Sequence, residues 1–84
     1  MTVTLLLFAT AREAAGRRSD EFDLAVGACV RDLVAEASAR YGERFVDVLA
    51  TARVWVNGDE PAAGPATVLA AGDEVAVLPP VSGG

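Results

Sequence analysis

The chain of 84 residues contains no histidine and no lysine, has one cysteine (Cys29), and is only 6% aromatic. Each absence closes a class of chemistry. Without histidine there is no Ser-His or Cys-His activation of a nucleophile and no His-ligated metal. A single cysteine permits neither an intramolecular disulfide nor a Cys-rich metal site, and it excludes the four-thiolate ligation of an iron–sulfur cluster. No metal site is therefore expected. The missing lysine means that the chain cannot accept an isopeptide bond on its own side chains, although a base-composition bias towards arginine is the simpler cause of its absence. Seven arginines against twelve Asp and Glu give a net charge of -5. That sign argues against nucleic acid, whose phosphates call for clustered basic residues. It favours a basic protein partner, or solubility alone. The apolar start Met1–Ala9 lacks the basic flank of a signal peptide and is far shorter than the roughly 20 residues of a membrane span. The expectation is a cytoplasmic protein that engages no membrane.

What is present is material for one small core. The chain is 52% apolar and 23% charged, which is the balance of a folded domain rather than a disordered one. A domain of this length buries about 60–65% of its unfolded surface, and here it must do so mostly with Ala and Val.

The hydrophobic period changes along the chain. Residues 3–9 read as a first strand, Arg12 to Gly16 as a short helical turn closed by glycine, and Ser19 to Leu24 as an alternating second strand. Val30, Leu33, Val34, Ala37 and Tyr41 lie at helical spacing, which predicts a helix from about Ala28 to Tyr41 with Gly27 at its N-cap and Gly42 past its end. Phe45 to Leu49 adds a possible helical turn. Arg53 to Asn57 alternates again and runs into the tight-turn pair Asn57-Gly58. Val68-Leu69 reads as a brief strand, and Gly72-Asp73 turns into a last strand, Glu74 to Leu78. Pro79-Pro80 stops it, because neither proline has an N–H to donate. The order is two strands, a helix, then two or three strands: an α+β β-grasp (ubiquitin-like) fold with a mixed sheet and one main helix packed on one face. The domain is expected at 1–78, with a flexible tail at 79–84 ending in Gly-Gly.

Strand alternation separates two faces. With Val3, Leu5, Leu7, Val54, Val56, Val75 and Val77 towards the helix, Leu6, Phe8, Trp55, Ala76 and Leu78 point to the other side. One helix covers one face, so Phe8 and Leu78 are candidate partner-binding residues, while Trp55 is either part of that patch or covered by residues 59–67. Arg12 is a candidate charged contact at its rim, or an exposed arginine with no special task. Cys29, at the start of the helix, is either a small apolar filler or a thiol tuned by the helix terminus.

The remaining signal is the end of the chain, Leu78-Pro79-Pro80-Val81-Ser82-Gly83-Gly84. Without a Cβ, Gly83 and Gly84 can pass down a narrow channel into another protein's active site, and the prolines limit the conformations lost on insertion. The terminal carboxylate is an anion at neutral pH and a poor electrophile. It becomes reactive once adenylated with ATP, and sulfur attack on the acyl-adenylate then gives a thiocarboxylate. A terminus with no task is the bland alternative.

Leu7-Phe8-Ala9 followed by Arg12-Glu13 and Gly16, then Asn57-Gly58, Gly72-Asp73-Glu74-Val75 and the ending Pro79-Pro80-Val81-Ser82-Gly83-Gly84 resemble the MoaD-type small subunits of molybdopterin synthase, within the MoaD/ThiS sulfur-carrier, ubiquitin-like family. The resemblance runs nearly end to end. In that family an apolar residue often follows the Asn turn, where this chain has Asp59-Glu60. The resemblance implies adenylation of Gly84 by a MoeB-like enzyme that uses ATP, sulfur from a donor protein, and insertion of the tail into a MoaE-type large subunit within a heterotetramer. Sulfur would then pass to a cyclic pterin phosphate. No cofactor would be bound by the chain itself, which would act as a co-substrate subunit of the synthase. Gly84 and Gly83 are thus the candidate reactive residues, with Pro79, Pro80, Val81 and Ser82 as tail contacts. Carriers for thiazole, tungsten-cofactor, thionucleoside or cysteine synthesis, a ubiquitin-like protein modifier, and a binding module without tail chemistry stand as alternatives.

Overall fold

A computed structural model of the chain describes residues 1–80. Its elements follow in the order β1 (Thr2–Leu7), α1 (Ala9–Ala15), β2 (Ser19–Asp23), α2 (Val30–Tyr41), α3 (Glu43–Leu49), β3 (Arg53–Val56), a 3-10 turn at Gly64–Ala66, and β4 (Glu74–Leu78). The sheet order is β2-β1-β4-β3. Central β1 and β4 run parallel, Leu5 beside Val75 and Leu7 beside Val77, and each edge strand is antiparallel to its neighbour. Parallel central strands are the ones expected to read as near-continuous apolar runs, as Leu5-Leu6-Leu7 and Val75-Ala76-Val77-Leu78 do. This is the β-grasp arrangement, with a mixed four-stranded sheet.

The main helix, α2, is joined in the covering layer by the shorter α1 and α3. Ala11 of α1, Val30, Leu33 and Ala37 of α2, and Phe45 of α3 join Val3, Leu5, Leu7, Phe22, Val75 and Val77 in one buried cluster. The strand members all share one face, so the helices lie on that side. α1 is a full helix and begins earlier than the sequence pattern indicates. β1 stops at Leu7, Phe8 takes the N-cap position, and Ala9 adopts a φ of 49°. That left-handed conformation is costly for a residue with a Cβ; it breaks the apolar run and swings the chain out of the sheet. Ala-rich sequence then favours helix. Gly16, at φ 75°, closes it by donating its N–H to the Arg12 carbonyl at 2.8 Å.

α2 starts at Val30 with Cys29, not Gly27, at the N-cap. The Asp32 carboxylate accepts the Cys29 backbone N–H at 2.8 Å and the thiol at 3.3 Å. These hydrogen bonds, led by the backbone one, hold the Asp32 carboxyl below its usual range. The expected strand at Val68-Leu69 is a single bridge between Cys29 and Val68. Leu69 is buried beside it while Val68 is exposed.

At the far end of the sheet, Asn57 (φ 51°) and Gly58 (φ 84°) form the two-residue hairpin turn that their sequence signals. The Asn57 amide donates to Asp73 at 3.0 Å and accepts the Glu74 N–H at 2.9 Å, fastening the turn to the start of β4. Among the described residues, no helix is long and apolar enough to cross a membrane.

Candidate partner-binding end of the sheet

Because β1 and β4 are parallel, their C-terminal ends lie at the same end of the sheet, and the chain leaves that end through Pro79 and Pro80. The Leu7–Val77 pairing, continued one step, sets Phe8 beside Leu78. Phe8 is 39% exposed, and Leu78 is half-buried. Arg12 projects over the same end and donates its Nε–H to the Leu7 carbonyl at 3.5 Å, at the limit of a hydrogen bond. The structure therefore gathers Phe8, Arg12, Leu78, Pro79 and Pro80 where the tail begins. Val81, Ser82, Gly83 and Gly84 lie outside the described residues.

Beyond this cluster, Leu6, Ala76 and Trp55 form a continuous row across three strands, with Ser19 completing it on β2. All three apolar members are half-buried and stand outside the core cluster. The open face thus carries a connected apolar strip ending at the base of the tail, the pattern expected of a docking surface. Trp55 does both things the sequence left open. It belongs to this row, and its edge meets Pro61 and Gly64 in a shallow hollow.

The register also brings together residues that sequence order keeps apart. Leu7 donates its N–H to the Arg18 carbonyl at 2.8 Å, and Arg53 pairs with Leu78. Arg12, Arg17, Arg18 and Arg53 therefore surround the tail end. Asp23, Asp59, Asp73 and Glu74 occupy the opposite end. Two of the four arginines have ion-pair partners, Arg17 with Asp20 at 3.2 Å and Arg53 with Glu60 at 3.5 Å. Asp20 and Glu60 lie at the same end as their partners, so among the described residues Arg12 and Arg18 are left without an ion pair there and can meet acidic or phosphate groups. No linear motif announces this, because the four arginines come from three separate segments.

The one charged side chain turned to the helix side of the sheet is Asp20, 14% exposed. It accepts hydrogen bonds from the Tyr41 hydroxyl at 2.7 Å and Arg40 Nη1 at 2.9 Å, with Oδ1 taking the Glu21 N–H at 2.9 Å. Burial pushes its carboxyl up, but these bonds and Arg17 outweigh it and leave Asp20 below the usual carboxylate range. Burial and the Asp20 carboxylate together push the Tyr41 hydroxyl above its usual range. Arg40 stacks 3.8 Å above the Phe22 ring. This cluster ties the end of α2 to β2 and takes no part in the apolar strip.

Comparison with known proteins bears on the family and the fold. The sequence model of the ThiS family matches residues 5–84, through the terminal glycines. The molybdopterin synthase sulfur carrier subunit of Chlamydomonas reinhardtii is 36% identical over 84 residues, the whole of both chains. SAMP1 of Haloferax volcanii superposes with a TM-score of 0.87 at 32% identity, again covering 100% of each chain. A chain in the complex of subunits 1 and 2 of the molybdopterin-converting factor of Helicobacter pylori shares the fold, with a TM-score of 0.71, 23% identity and 100% coverage of both chains. The chain belongs to the ThiS family and is a homologue of the molybdopterin synthase sulfur carrier subunit.

Proposed function

We infer that the chain is a sulfur carrier for molybdopterin synthesis, working through the carboxylate of Gly84. The observation that carries this reading is the full-length 36% identity to a molybdopterin synthase sulfur carrier subunit, together with a family match extending to residue 84. In the cycle, a MoeB-like enzyme uses ATP to adenylate Gly84, releasing pyrophosphate. Sulfide-level sulfur supplied by a donor protein displaces AMP and leaves a thiocarboxylate. The tail then enters a MoaE-type large subunit, in a heterotetramer, and gives its sulfur to a cyclic pterin phosphate. Phe8, Leu78 and the Leu6–Ala76–Trp55 row supply the apolar contact, Arg12 a charged contact at the rim, and Pro79, Pro80, Val81 and Ser82 the channel contacts. Gly83 keeps the approach narrow. The cycle belongs in the cytoplasm, where ATP and the partner enzymes are found. The subunit 1–subunit 2 complex of Helicobacter pylori supports a large-subunit partner.

Reconstitution tests this reading. The thiocarboxylated chain, mixed with large subunit and cyclic pterin phosphate, is expected to yield the dithiolene product and return two Gly84 carboxylates for each dithiolene formed. An unconsumed thiocarboxylate in the presence of an active large subunit would refute the molybdopterin assignment and favour another sulfur acceptor. A second reading rests on the likeness to SAMP1, a small archaeal modifier protein: attachment of Gly84 to lysines of other proteins. Its mark is lysine-linked adducts in cell extract that disappear when Gly84 is deleted.

A further inference from the structure

The two edges of the sheet are finished differently. On β2, the pairing of Leu24 with Met1 and of Arg18 with Leu7 sets the alternation and turns the N–H and C=O of Glu21 outward. Both are occupied: the N–H by Asp20 Oδ1 at 2.9 Å and the carbonyl by Arg40 Nη1 at 3.1 Å. The middle of this edge is thereby closed to strand addition, as soluble sheets commonly require. On β3, the Asn57 N–H bonds the Glu74 carbonyl at 2.7 Å, so alternation turns Val54 and Val56 outward. Val56 is closed by the turn, exchanging bonds with Asp59 at 2.8 and 3.0 Å. Val54 has no such partner among the described residues.

Val54 also sits where two hollows join. A groove of about 490 Å³ lies between α2, the end of α3 and residues 61–65, walled by Val30, Val34, Leu49, Val54 and Pro65, with Arg31 on its rim. A smaller hollow of about 250 Å³ continues from Val54 past Pro61 and Gly64 to Trp55. Among the described residues, Arg31 makes no salt bridge, so its charge is available to an occupant.

We propose that this groove binds a short extended segment of a partner protein, apolar at its centre and carrying a carboxylate two residues on. The central residue exchanges two backbone hydrogen bonds with Val54. In that pairing its side chain falls on the same side as Val54 and enters the apolar groove. The carboxylate, two residues on and therefore on the same side as the central side chain, meets Arg31. A single free strand position limits the added strand to a few residues, so the interaction is weak and short-lived, and it lies on the outer edge of β3, two strands from β1.

The probe is the blocked peptide acetyl-Val-Ile-Val-Asp-amide, titrated into the ¹⁵N- and methyl-labelled full chain. The Val54 amide proton is expected to move downfield saturably, with accompanying shifts of the Val34 and Leu49 methyls. Methylating the isoleucine nitrogen removes the donor to the Val54 carbonyl and is expected to weaken binding about tenfold or more. Arg31→Glu is expected to weaken the parent peptide several-fold while sparing the variant with Asn for Asp. Millimolar peptide without a saturable change at Val54, a methylated peptide that binds equally well, or leading shifts in β2 would overturn the proposal. Undiminished binding to the Arg31→Glu chain would overturn its carboxylate component.

Discussion

The two faces of the sheet are built from the same four strands yet serve opposite ends. The covered face holds Val3, Leu5, Leu7, Phe22, Val75 and Val77, all at 1% exposure or less, beneath three helices. The open face holds Leu6, Trp55, Ala76 and Leu78, half-buried and outside that core. Alternation alone places residues on both faces, so the distinction comes from what packs above. On the covered face, apolar area contributes to stability. On the open face, half of it stays in water and is left free to contribute to binding.

Substitutions can break the comparison. Phe45→Ala, at a fully buried ring packed 5.0 Å from Tyr41, is expected to cost about 3–5 kcal/mol of folding stability, read from denaturant unfolding. Leu78→Ala on the open face is expected to leave stability within about 1 kcal/mol while weakening the large subunit about tenfold or more by calorimetry. If Leu78→Ala destabilised the chain as much as Phe45→Ala, the two faces would not differ in role. Tyr41→Phe, which removes the hydroxyl bonded to Asp20, is expected to cost about 1 kcal/mol and leave partner affinity unchanged.

The smallest effect is in pH. Asp20 and Asp73 are both held below the usual carboxylate range in the folded chain; Asp73 is lowered first by the Ala70 N–H and then by the Asn57 amide. A depressed folded pKa means that the stabilisation is complete above the unfolded value, about 3.9, and lost as pH falls through the lower folded value. Unfolding free energy is therefore expected to hold from neutral pH to about 5 and decline below 4. The decline should be shallower in Asp20→Asn, and an equally steep one there would remove Asp20 from the account.

Much of this was legible in the sequence. The strands, the long helix and the Asn57-Gly58 turn follow from periodicity and turn chemistry, because each is a local rule. The errors share a cause. Phe8 and Ala9 extend an apolar run, and nothing local shows that Ala9 takes a left-handed turn and ends β1 early. Gly27 is an acceptable cap residue, but the carboxylate three positions past Cys29 fixes the actual one. The inward charge at Asp20 is invisible without Arg40 and Tyr41, some twenty residues on. For the candidate site, the tail was readable as chemistry and the apolar strip as alternation, whereas the arginine-rich end needed the strand register.

The central claim is that Gly84 carries sulfur. Its most direct test is the intact mass of the chain after incubation with ATP, an active MoeB-like enzyme and a sulfur source. The expected result is a gain equal to one sulfur replacing one oxygen, absent when Gly84 is deleted. An unchanged mass, under conditions where the same enzyme activates another carrier, would contradict it.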